Sequence, residues 1–78
     1  MSELARYGMP EERWRRIFSI RLKQKMDEFE ISYIALAELV GVHRSTIYRW
    51  TNCEITPDAY VIVRLSRIFC CSVDELCT

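Results

Sequence analysis

An all-helical fold is predicted for this chain of 78 residues, and three observations predict it. Apolar residues recur at steps of three and four rather than two. Helix-start residues stand before several of these runs. Two glycines and two prolines leave too little turn chemistry for an all-β fold. At this length the chain is one domain near the lower size limit for an unstapled core, and 50% hydrophobic with 28% charged residues is ordinary globular composition.

The elements follow in order. Residues 1–9 are weakly patterned, end near the break at Gly8, and read as an N-terminal arm; residues 10–78 read as the folded domain. Pro10 suits a first helical turn, and Glu11 and Glu12 favour its positive end. Trp14, Phe18, Leu22, Met26 and Phe29 form one face of this helix, which is expected to end near Glu30; Ile17 and Ile20 broaden that face. Ser32 is the expected N-cap of a second helix with Leu36, Ala37 and Val40 inward, and Gly41 is expected to end it with positive φ. A third helix is expected from His43 or Arg44 to about Asn52. Thr56-Pro57-Asp58 reads as a restart with Thr56 as N-cap, and Val61, Leu65, Ile68 and Phe69 give the fourth helix its apolar face. Ser72-Val73-Asp74-Glu75 matches a capping box opening a short fifth helix through Leu76. The result is a compact five-helix, bundle-like domain.

Charge is zero in total but segregated along the chain. Arg13, Arg15, Arg16, Arg21, Lys23 and Lys25 form a run without acids; Asp27, Glu28, Glu30 and Glu38 then form a stretch without bases. From Val42 to Asn52 the charged residues are Arg44 and Arg49 only. Segregated signs allow a positive face on a neutral chain, while the first basic run also fits the solvated side of an amphipathic helix.

Tyr33 to Asn52 has the layout of two helices joined by a tight glycine turn, the helix-turn-helix signature, whose second helix is expected to enter the major groove of DNA. Ala37 is small where the helices approach. Projected at about 100° per residue, the third helix turns Thr46, Ile47 and Trp50 inward and Arg44, Ser45, Tyr48, Arg49 and Asn52 outward. Arg pairs with guanine O6 and N7, Ser reaches base or phosphate, and Asn bonds phosphate oxygen.

Residues Phe18 to Leu76 resemble the lambda-repressor-like (Cro and XRE) helix-turn-helix domain of phage and bacterial regulators. The resemblance rests on Arg21-Leu22-Lys23, Leu36-Ala37-Glu38, Gly41-Val42, Arg44-Ser45-Thr46-Ile47-Tyr48-Arg49-Trp50, Pro57 and Ser72-Val73-Asp74-Glu75-Leu76. It implies a five-helix fold, no enzyme activity, and binding of a two-fold symmetric operator as a dimer. It also implies base readout by Arg44, Ser45 and Arg49, with phosphate contacts from Tyr33, His43 and Asn52. Tyr33 departs from the family's usual Gln and replaces its paired amide contacts with a single phenol. Met26 and Thr51 stand where the family often buries an Arg–Glu pair, so an apolar contact is expected there. Cys53 and Cys70 stand where Gly commonly follows a helix; a left-handed backbone at a non-glycine residue costs on the order of 1 kcal/mol. Exposed thiols there also raise the idea of a redox switch, which no basic neighbour supports.

Two competing classes are weighed against DNA binding. A protein-interaction module of antirepressor or antitoxin kind is suggested by the zero net charge, the broad apolar face at Ile17 and Ile20, and Tyr33. An enzyme is disfavoured, since no nucleophile–base arrangement, cofactor motif or metal spacing is seen, and the four cysteines and single histidine fit no ligand pattern. Neither a signal-peptide layout nor a membrane-length apolar run is found, so a cytoplasmic chain with reduced thiols is expected. DNA binding is also expected to weaken uniformly on loss of Arg21 or Lys23 and selectively on loss of Arg49.

Overall fold

The computed structural model describes residues 11–78. It contains five helices: α1 (Glu11–Glu28), α2 (Tyr33–Val40), α3 (Arg44–Thr51), α4 (Ala59–Ile68) and α5 (Val73–Cys77), with no strand among the described residues. The expected arm at 1–9 and the expected helix start at Pro10 lie outside them. Packing runs in a closed ring. α1 lies against α3 and α5, α2 against α3 and α4, and α4 against α5.

Sequence explains the starts of α2, α4 and α5. Ser32 is extended and its hydroxyl accepts from Ala35 N–H at 3.1 Å. Ser72 does the same for Glu75 N–H at 3.2 Å, forming the backbone half of the expected capping box. α4 corrects the expectation at Thr56. Its N-cap is Asp58, whose carboxylate accepts from Val61 N–H at 3.0 Å, so Thr56 and Pro57 stay in the connection. A carboxylate is a charge-assisted acceptor and favours the positive end of the helix dipole, which decides between the candidates. The buried face differs from the expected one: Ile62, Leu65 and Phe69 are buried, while Val61 and Ile68 are half-buried against them.

The helix ends share one backbone device. Gly41 ends α2 at φ 85°, as expected. Glu30, Cys53 and Cys70 have φ of 53°, 61° and 51° in the connections after α1, α3 and α4. At each of the three, its own N–H and the next residue's N–H bond back to carbonyls of the closing turn, the pattern of a Schellman motif. α1 thus stops at Glu28 rather than Glu30. Both cysteines thus adopt the left-handed backbone considered for them from the sequence. Glu30 is a third such position.

Phe18, Leu22, Met26, Leu36, Ala37, Val40, Ile47, Trp50, Leu65, Phe69 and Leu76 belong to one continuous core. Trp14 packs on its edge, stacked on Phe18 with ring centroids 5.4 Å apart. Phe29 is more exposed than its place on the stripe suggests, yet meets Phe69 edge to face at 5.4 Å. No described helix is long and apolar enough to cross a membrane.

Candidate nucleic-acid interface

α3 is eight residues long, too short to hold its own conformation without packing. Its inner side supplies that packing: Ile47, Trp50 and Thr51 are buried and Thr46 is half-buried. Ala37 is buried in the neighbouring α2, consistent with a small side chain at the crossing. Behind α3, Ser19 of α1 donates its hydroxyl proton to the Thr51 carbonyl at 2.7 Å. Thr51 in turn donates to the Tyr48 carbonyl at 2.8 Å. A polar tie between α1 and α3 thus passes through Ser19 and Thr51, beside the apolar core that the two helices share. Nothing in the helical periodicity singled out Ser19, because a hydroxyl on an apolar stripe looks like an interruption of it.

All seven expected site residues are exposed. Arg44, Ser45, Tyr48 and Arg49 project from α3, and Asn52 caps its end with its N–H bonded back to Tyr48 and Trp50 carbonyls. No acidic residue lies within α3. Tyr33, the first residue of α2, brings its ring to 6.1 Å from that of Tyr48 at a tilt of 57°.

His43 has a structural duty in addition to its exposure. It is the N-cap of α3: its Nδ1 accepts from Ser45 N–H at 3.1 Å and lies 2.8 Å from Ser45 Oγ. With Nδ1 accepting, the neutral ring carries its proton on Nε2, which stays available as a donor.

The basic run of α1 divides by partner. Arg15 lies 3.9 Å from the Glu11 carboxylate and donates to the Glu54 carbonyl. Arg21 donates to Gln24 Oε1 at 3.3 Å and to the Thr78 carbonyl at 3.4 Å. Lys25 Nζ lies 3.5 Å from both Glu28 and Glu75 carboxylates, joining α1 to α5. Burial pulls the Lys25 pKa down, but Glu28 and Glu75 outweigh it and hold the group above its ordinary value. Lys23 differs, since it lines a shallow depression with Ser32 and Tyr33 beside the start of α2.

The family model described as Helix-turn-helix, of the Cro and repressor type, matches residues 22–76, most of the chain. The chain belongs to the lambda-repressor-like helix-turn-helix family. Comparisons with curated proteins and with solved structures each returned no match. The helix-turn-helix match spans α2 through α4 entire, most of α5 and the last two turns of α1. It makes the chain a domain of a class that serves DNA-binding regulators. Among the described residues no cluster of His, Cys, Asp and Glu has the arrangement of a metal site. Burial pushes the thiols of Cys71 and Cys77 above their ordinary pKa, which disfavours the thiolate.

Proposed function

We propose that this helix-turn-helix domain is a sequence-specific, double-stranded-DNA-binding transcriptional regulator of Cro or repressor type. The observation that carries this reading is the outward side of α3. It exposes Arg44 and Arg49, bears no acid, and is held from behind by buried Ile47 and Trp50. A cationic helix face on a rigid support suits a major groove flanked by phosphates.

In this reading Arg44, Ser45 and Arg49 contact base edges, with Tyr48 beside them. Tyr33, His43 through Nε2, and Asn52 contact phosphate, and Lys23 joins them as a neighbour of Tyr33. Residues 10–78 form the binding domain and 1–9 an arm. Two copies bind half-sites one helical turn apart as a homodimer in the cytoplasm.

Selection from random duplex DNA, followed by affinity measurements across a salt series, tests the proposal. A two-fold symmetric consensus with affinity falling steeply as salt rises is expected. No enrichment and no salt-dependent duplex binding would overturn it. A second reading, a module that binds a regulatory protein, is favoured by exposed Tyr60 and Val63 on α4 and Leu39 at the end of α2. Binding through such apolar surface would persist at high salt.

A further inference from the structure

The outward side of the helix-turn-helix is chemically divided. Arg44 and Arg49 supply charge, but beside them lies an apolar groove of about 500 Å³ between the first turn of α2 and the outer side of α3. Tyr33, Ile34 and Tyr48 form its apolar walls, Ser32 and Ser45 lie at its polar edges, and Arg44 is its one charged lining residue. Ile34 is 53% exposed and Tyr48 56% exposed, although both are large apolar side chains. Single exposed aliphatic residues are commonplace on protein surfaces. Three large ones converging on a single concavity beside Arg44 suit a ligand with both an apolar and an anionic part.

Duplex DNA presents that combination at one base pair type. In the major groove every base edge offers hydrogen-bonding groups, and thymine alone adds a methyl group. We propose that the Tyr33–Ile34–Tyr48 groove seats the 5-methyl group of a thymine in the operator half-site, next to the base pair contacted by Arg44. These three residues then determine specificity for thymine by apolar contact, while Arg44 and Arg49 hold the flanking polyanion by charge complementarity. The inference rests on the DNA-binding reading above and assigns to Tyr33 a base-reading part besides its phosphate contact. The groove is open, so it covers the methyl on one side only, and the discrimination is correspondingly modest. Complete burial of one methyl is worth about a four-fold change in affinity, which one-sided cover approaches from below.

The test uses the full chain and a site selected from random duplex DNA. Each thymine is replaced in turn by uracil, which pairs identically and lacks only the methyl. At one thymine in each half-site the replacement is expected to lose affinity by up to about four-fold, with the others nearly unchanged. Ile34→Ala and Tyr48→Ser should bring the thymine-to-uracil ratio at that position towards one. Tyr48→Phe, which keeps the ring, should preserve it. Circular dichroism of each variant separates a lost groove from a lost fold. Equal affinity for thymine and uracil at every position of the unaltered protein would overturn the inference while leaving DNA binding intact. An unchanged ratio in folded Ile34→Ala and Tyr48→Ser would also overturn it. Absence of any duplex binding would remove both this inference and the reading it rests on.

Discussion

The Ser19 hydroxyl and the Thr51 carbonyl meet at 2.7 Å inside the protein, where neither residue touches water. The carbonyl belongs to the last turn of α3, whose acceptors have no partner within the helix. α1 therefore satisfies a group that α3 cannot satisfy for itself. Ser19→Ala leaves that acceptor buried and unpaired, at an expected cost of roughly 1–3 kcal/mol. In urea denaturation the midpoint should fall with the slope unchanged. A midpoint equal to that of the unaltered protein would show that the contact contributes nothing.

Three of the four left-handed positions carry side chains that resist that conformation. Cys53→Gly and Cys70→Gly should each raise stability, by up to about 1 kcal/mol. The gain is reduced by the greater freedom of glycine in the unfolded chain. Thermal melts under reducing conditions check this, and the two sites should act additively because they share no partner. Lower melting temperatures in both variants would contradict it.

His43 is predicted to matter first for folding. His43→Ala removes the acceptor for Ser45 N–H and should cost roughly 1 kcal/mol, whereas His43→Asn retains a good cap. Comparing stability with DNA affinity in both variants separates the two duties. If His43→Asn is as stable as the original but binds DNA less tightly, Nε2 makes a contact of its own.

Alkaline pH should loosen the helix-turn-helix domain from the α5 side. Burial holds the Cys71 and Cys77 thiols above 9.0. For Lys25 burial acts downward, but Glu28 and Glu75 carry its pKa above 10.5. In each case the folded state keeps a proton that the unfolded chain gives up. These contributions are therefore complete below 9.0 for the thiols and below 10.5 for the lysine, and are lost as pH rises through the raised folded values. Stability should decline from about pH 9.0 upward, and Cys77→Ala should make the decline shallower, with Cys71 still contributing. A flat profile between pH 9.0 and 10.5 would refute the thiol contribution.

Loss of Arg49 and of Lys23 should separate two kinds of DNA contact. Arg49→Ala is expected to lose roughly 1–3 kcal/mol on a selected site and little on random duplex, while Lys23→Ala weakens both alike. Arg21, tied to Gln24 and Thr78, should affect stability more than DNA affinity. Competition binding on the two duplexes measures all three.

Much of this was legible in the chain because helix periodicity and caps are local signals. Ser32, Gly41 and Ser72 act where their chemistry suggested, and Ile47 and Trp50 face inward as their spacing required. Asp58 was less legible, since Thr56, Pro57 and Asp58 all favour a helix start and only the folded backbone selects one. Long-range matters were hidden for a different reason. Ser19 meets Thr51 across 32 positions, and Arg64 reaches 25 positions back to donate twice to the Leu39 carbonyl. No spacing rule in the sequence encodes such pairings. The Tyr33–Tyr48 groove was hidden likewise, because its walls come from two helices whose relative angle is set by the core.

The ring of helix packing has a consequence for how the protein opens. α5 has five residues and buries only Leu76 among them, yet it is the one described helix that packs on both α1 and α4. Undocking it breaks the circle at its thinnest segment while every contact among α1, α2 and α3 stays in place. Amide hydrogens of α5 will therefore exchange with solvent through a sub-global fluctuation far cheaper than complete unfolding, and those of α2 and α3 will not follow. The clasp can spring open without the fingers losing their grip.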